Sequence, residues 1–92
     1  MGRESNFRQR LAEIFDLPQE VILDLPLISI VGNLNLKVEN HRGIIKYTPE
    51  LVEIKIKRGQ LIIEGRQLNI EQIKKEKVVV VGKIDNLSFK LF

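Results

Sequence analysis

The chain has 92 residues, 43% of them apolar and 29% charged, the make-up of one small folded domain and not of a disordered tail. The absence of cysteine excludes disulfides, thiolate chemistry and Cys-ligated metal sites, and no apolar run reaches the roughly 18–20 residues of a membrane span. The net charge of +3 divides unevenly: residues 1–26 hold three basic and five acidic side chains, residues 27–92 twelve and seven.

In chain order the first element is a helix. Phe7, Leu11, Ile14 and Phe15 recur at the spacing of one helical stripe, with Arg3, Glu4, Arg8, Arg10 and Glu13 on the opposite face. Ser5 or Asn6 suits the N-cap, and Pro18 stops the helix beyond Asp16 and Leu17. Pro18-Gln19-Glu20-Val21 predicts a second short turn before Asp24-Leu25-Pro26 breaks into extended chain. A lipid surface would accept the basic apolar helix of residues 1–17, but Glu4, Glu13 and Asp16 dilute its charge and favour packing on the rest of the chain.

After Pro26 the period becomes two, and Ile28, Ile30, Gly32, Leu34, Leu36 and Val38 share one parity. A two-residue turn at Gly32-Asn33 would set Ile30 opposite Asn35 and mix core with solvent positions. The reading is therefore one long strand from about residue 27 to 39, bent at Gly32. Hairpins follow. A loop at 40–43 brings Val38 near Ile45 and Leu36 near Tyr47; a turn at Pro49-Glu50 pairs Tyr47 with Val52, Ile45 with Ile54 and Lys46 with Glu53. Arg58-Gly59 pairs Ile56 with Leu61, and Gly65-Arg66 pairs Ile63 with Leu68. Lys74-Lys75-Glu76-Lys77 makes the next reversal. A turn at Asp85-Asn86 pairs Ile84 with Leu87 and sets Gly82 beneath Phe89.

The expectation is a mainly β domain: an N-terminal helical segment, residues 1–26, packing on an antiparallel meander of six to eight strands, residues 27–92, as an open sheet or small barrel. Glycines at 32, 65 and 82 end three similar stretches and leave a short β-solenoid as the alternative, although its rungs would be unequal. Val78–Val81 is apolar on both faces, as suits a central strand or an interface.

Candidate chemistry is sparse. His41 is the one histidine, no Ser or Cys nucleophile pattern accompanies it, and it reads as a polar hairpin-loop residue. Asp16, Glu20 and Asp24 stand four apart, but Pro18 interrupts any helix that would align them as a cation site, so they read as N-terminal charges of short turns. No catalytic, cofactor, metal or small-molecule site is expected. Basic surplus in the body raises a nucleic-acid-binding small barrel as an alternative, but only five aromatic residues are present and several have core parity. The candidate interaction surface comprises Lys37, Lys46, Glu53 and Lys55 on the outer face, with Val79 and Val81 from the valine run.

Five segments also carry a resemblance. Arg8-Gln-Arg-Leu-Ala-Glu-Ile-Phe-Asp-Leu-Pro-Gln-Glu-Val21 and Asp24-Leu-Pro-Leu-Ile-Ser-Ile-Val-Gly32 resemble the YabP/YqfC family of endospore-forming bacteria. So do Val38-Glu-Asn-His-Arg-Gly43, Gly59-Gln-Leu-Ile-Ile-Glu-Gly-Arg-Gln-Leu68 and Val81-Gly-Lys-Ile-Asp-Asn-Leu-Ser-Phe89, so the likeness runs from about residue 7 to the end. The resemblance implies a sporulation protein made in the mother cell, cytoplasmic or at the forespore surface, with no established activity and no catalytic residues to carry over. Together the two readings point to a non-enzymatic module that meets a protein partner or itself. A nucleic-acid-binding barrel and a peripheral membrane protein are the alternatives.

Overall fold

A computed structural model describes residues 3–18, 24–74 and 76–92, with the side chains of residues 3–8 outside that description. Residues 19–21 of the expected second turn, with the carboxylate of Glu20, Lys75 and the side chain of Phe7, therefore lie outside the described residues.

Helix α1 spans Arg3–Phe15. It begins before the expected caps, so Ser5 and Asn6 sit inside it. Its end is a Schellman turn: Asp16 takes a φ of 53°, its N–H donates to Glu13 O, and Leu17 N–H donates to Ala12 O. Pro18 then bars continuation. Of the predicted stripe, Leu11 is half-buried, whereas Ile14 and Phe15 stand exposed.

Six antiparallel strands follow: β1 (Leu27–Val31), β2 (Asn35–Glu39), β3 (Ile44–Thr48), β4 (Leu51–Ile56), β5 (Gly59–Ile73) and β6 (Lys77–Leu91). They form one open sheet in the order β1-β2-β6-β5-β4-β3. Antiparallel pairing throughout is an open sheet and not the solenoid.

Four registers differ from expectation, each for a physical reason. The long bent strand is a hairpin, because a three-residue turn at Gly32–Leu34 sets Ile30 opposite Leu36 and Ile28 opposite Val38, keeping apolar parity where a two-residue turn would break it. β2 does not pair with β3; it joins β6, with Leu36 opposite Val80 and Val38 opposite Val78, so the valine run is a central strand there. Gly65-Arg66 and Asp85-Asn86 are not turns but lie within two continuous strands of 15 residues each. Phe89 accordingly faces Leu61, and Gly82 lies beside Gln67 and Leu68. Finally, the β4–β5 turn is Lys57-Arg58, with Arg58 at a φ of 61°, which sets Ile54 opposite Leu61 and Val52 opposite Ile63. The β3–β4 turn matches its prediction at Tyr47–Val52 and Lys46–Glu53, with a bulge setting Ile44 instead of Ile45 opposite Ile54.

The β5–β6 hairpin is the frame. β2 and β1 attach along its tip, through Lys77–Val81, and β4 and β3 along its base, through Gly59–Glu64. Between the two lies an irregular middle, with register shifts at Glu64/Gly65, Arg66/Asn69 and Ile70/Gln72 and positive φ at Gln67 and Gly82. A straight 15-residue strand would run about 46 Å, more than the 37 Å longest dimension of the protein, so the hairpin bends through this middle. Each short hairpin bonds to the bend with its turn. Gly65 and Leu68 donate N–H to Glu50 O and Pro49 O, and Gly82 and Ile84 donate to Leu34 O and Asn33 O. Leu36, Val38, Val78 and Val80 from the tip half meet Val52, Ile54, Ile56, Leu61 and Ile63 from the base half in one core. Glycine at 65 and 82 thus reflects close approach at a bend: a Cβ at Gly65 would lie 2.1 Å from Lys83 O, and one at Gly82 2.6 Å from Gln67 O.

Candidate interaction surface

The six residues singled out for interaction divide between the two halves. Lys37 and Val79 are cross-strand partners on the outer face of the tip half, with Val81 opposite Asn35 one row along. Lys46 and Glu53 face each other on the base half, and Lys55 lies opposite Gln60. The structure therefore yields two patches and not one surface. Lys37 is also engaged within the chain, 3.8 Å from the buried Glu39 carboxylate.

The segment between β2 and β3 crosses from one half to the other, and His41 fastens it. Gly43 N–H donates to His41 Nδ1 at 3.0 Å, and Nε2 stands 3.0 Å from Lys74 O, which only accepts; the neutral ring with its proton on Nε2 satisfies both. Asn40 N–H donates to Glu76 O, and its side-chain amide to Leu25 O. Arg42 and Gly43 then exchange backbone bonds with Lys55 of β4. His41 is thus a structural clamp between loop and hairpin tip.

Asp24, just ahead of β1, gathers cations from the β4–β5 turn and from the crossover. Its carboxylate accepts from the Lys57 ammonium in the β4–β5 turn and lies 3.5 Å from the Arg42 guanidinium. The hydrogen bond from Lys57 and the positive charges of Lys57, Arg42 and Arg58 hold its pKa below the usual 3.8, against a smaller opposing effect of desolvation. The plain turn-charge role expected for Asp24 is replaced by a tie between segments distant in sequence. Only the pairing of Lys57 and Arg42 across the fold reveals it.

Tyr47 has a similar role at the opposite margin. Its hydroxyl donates to Asn69 Oδ1 at 2.7 Å and accepts from Ile70 N–H at 3.2 Å, closing a stretch of β5 that β4 does not reach. A single tyrosine at core parity gave no sequence signal of this. On the outside, Arg66 binds Asp85 through two nitrogens and Asn86 donates to Glu64, both across β5–β6.

Large apolar side chains stand exposed on the helix, on β3 and at the ends of the sheet. Ile30, Val31 and Leu34 stand exposed on the β1–β2 hairpin, and Phe89, Leu91 and Phe92 at the far end of β6. Among the described residues no helix is long and apolar enough to cross a membrane.

The YabP family matches residues 25–91, the whole of the sheet. The chain belongs to the YabP family. A relative in that setting is the uncharacterized protein YqfC of Bacillus subtilis (strain 168), 36% identical over 86 residues that cover 92% of this chain and 92% of the relative. No solved structure matches the chain. The match to the YabP family begins at Leu25, so the family's shared part is the sheet and the strand that opens it, while the likeness to YqfC takes in most of the helical head as well.

Proposed function

We propose that this YabP-family chain is a non-enzymatic interaction module of the sporulating mother cell, holding one protein to another during spore formation. Family membership supports spore formation as the setting. The observation that carries the interaction reading is the apolar margin: Ile30, Val31 and Leu34 at one end of the sheet and Phe89, Leu91 and Phe92 at another lie exposed while the core is fully covered. Apolar side chains gathered at sheet margins are what partner chains bury.

The test is quantitative capture from sporulating cells with the tagged chain, beside one variant with Phe89→Ser and Leu91→Ser and another with Lys46→Ala and Glu53→Ala. A partner recovered with the parent and lost with either folded variant supports the reading and tells margin from outer face. Equal recovery with all three, or accumulation of a fluorescent fusion outside the mother cell, overturns it.

A further inference from the structure

Among the described residues the open sheet has four free edges, and they are not alike. The outer edge of β3 carries Lys46 at its centre and a bulge between Ile44 and Lys46, both of which discourage another strand. The part of β5 beyond β4 has Gly65 and Leu68 N–H bonded to the β3–β4 turn and Ile70 N–H to the Tyr47 hydroxyl. The part of β6 beyond β2 has its first two N–H groups bonded to the β1–β2 turn and carries Lys83, Asp85 and Lys90 along its length. β1 has none of these devices. Its five residues pair with β2 in unbroken register, and no charged residue occurs from Leu25 to Leu36. Val31 is 71% and Ile30 47% exposed there.

We infer that β1 is a self-association edge, and that its occupant is β1 of a second copy, antiparallel about Ser29. The charge pattern selects that partner. A strand bearing charges would find no counter-charge between Leu25 and Leu36, whereas an identical neutral strand brings none to be left unpaired. The register is self-complementary as well. With Ser29 opposite its own copy, Ile28 faces Ile30 on the inner side and Leu27 faces Val31 on the outer side, so each row joins like with like and the inner faces of both sheets continue across the junction. This deepens the interaction reading by naming one edge and one partner.

The experiment is sedimentation equilibrium over a wide range of concentration, with single-cysteine cross-linking, which the cysteine-free chain makes unambiguous. The parent should form dimers. Ser29→Glu places two carboxylates together at the symmetry axis, yet within one chain it faces Lys37, a favourable cross-strand pair; dimer affinity should fall roughly a hundredfold with an unchanged circular dichroism spectrum. Lys46→Gln, at the β3 edge, should leave the affinity as it was. Ser29→Cys should oxidise to a covalent dimer, since directly opposed residues on paired strands come within about 4.5–5.5 Å, inside disulfide reach, while Lys46→Cys should not. A monomer at every concentration, a dimer indifferent to Ser29→Glu, or a dimer of the Ser29→Cys variant that does not cross-link overturns the inference. A monomeric parent that still captures a mother-cell partner would leave the broader interaction reading intact.

Discussion

β1 and β3 hold equivalent places: each is five residues long, each is the outermost strand of its half of the sheet, and among the described residues each pairs on one side only. Their chemistry diverges. β3 reads Ile-Ile-Lys-Tyr-Thr, with a lysine outward, a bulge beneath it and a tyrosine whose hydroxyl reaches back to lock β5. β1 reads Leu-Ile-Ser-Ile-Val, with no charge, no bulge and no locking side chain. β3 is finished as a solvent-facing edge, and β1 is left as an edge another strand can join. Since both halves feed one core, this difference at the margins does not come from separate folding units.

The largest effects should come from the shared core, where the two halves can be set against each other. Leu36 of the tip half and Ile54 of the base half are both fully buried. Truncating either to alanine should cost about 2–5 kcal/mol, and urea unfolding followed by circular dichroism and by tyrosine fluorescence should give one coincident transition in each variant. Two separated transitions would show that the halves unfold independently and would undo the single-core account.

Next comes the bend that brings the halves together. Gly82 has a φ of 139° and no room for a Cβ beside Gln67 O, so Gly82→Ala should destabilise by about 2–3 kcal/mol through backbone strain and overpacking. Gly32, at a φ of 55° with open space around it, provides the comparison: alanine there meets only the backbone penalty, about 1 kcal/mol. Equal costs at the two positions would mean that the middle of the hairpin yields more readily than its geometry implies.

These glycines also show where sequence reasoning stops. Period-two patterning from Ile28 onward finds the β body, the faces of its strands apart from the bulged start of β3, and the Tyr47–Val52 and Lys46–Glu53 pairs, because within an unbulged strand a side chain's face depends only on parity. Parity is blind to whether a polar or glycine-bearing stretch turns the chain or bulges it. Gly65-Arg66 and Asp85-Asn86 carry turn-like residues, yet both lie inside long strands, since the carbonyls of Pro49, Glu50, Asn33 and Leu34 take up the N–H groups that the bulges free. Those acceptors are distant in sequence and leave no local mark. The joining of β2 to β6 is hidden for the same reason: Val78–Val81 shows that the strand needs cover on both sides but not which strand supplies it. Of the interaction surface, the outer-face residues were legible as a pattern, while the undefended edge becomes visible only when the four edges are compared.

A smaller effect should sharpen the contrast at the margins. Tyr47→Phe removes the hydroxyl that accepts from Ile70 N–H, with an expected loss of about 1 kcal/mol. Amide exchange at Ile70 should quicken while that at Val52, opposite Tyr47, keeps its protection. If the Ile70 amide is as slow in the variant as in the parent, the hydroxyl is not what closes that stretch of β5.

The smallest effect concerns the charged tie between the halves and is best read through pH. Asp24 precedes β1, Lys57 lies in the β4–β5 turn and Arg42 in the crossover, so the carboxylate links the tip half to the base half outside the core. Its folded pKa is held below the ordinary 3.8 by the Lys57 hydrogen bond and the surrounding positive charge. A carboxylate whose pKa is lower in the folded state binds fewer protons there than when unfolded, so its contribution is complete above the unfolded value and is lost as pH falls through the folded one. The urea midpoint of the parent should therefore exceed that of Asp24→Asn by a constant margin from neutral pH down to mildly acidic conditions. Below 3.8 the two should converge. Because the group is open to water, added salt at neutral pH should narrow the same margin. A difference that persists unchanged into strong acid would assign the role of Asp24 to its shape and hydrogen bonding instead of its charge, and the two halves would then be joined by the core and backbone alone.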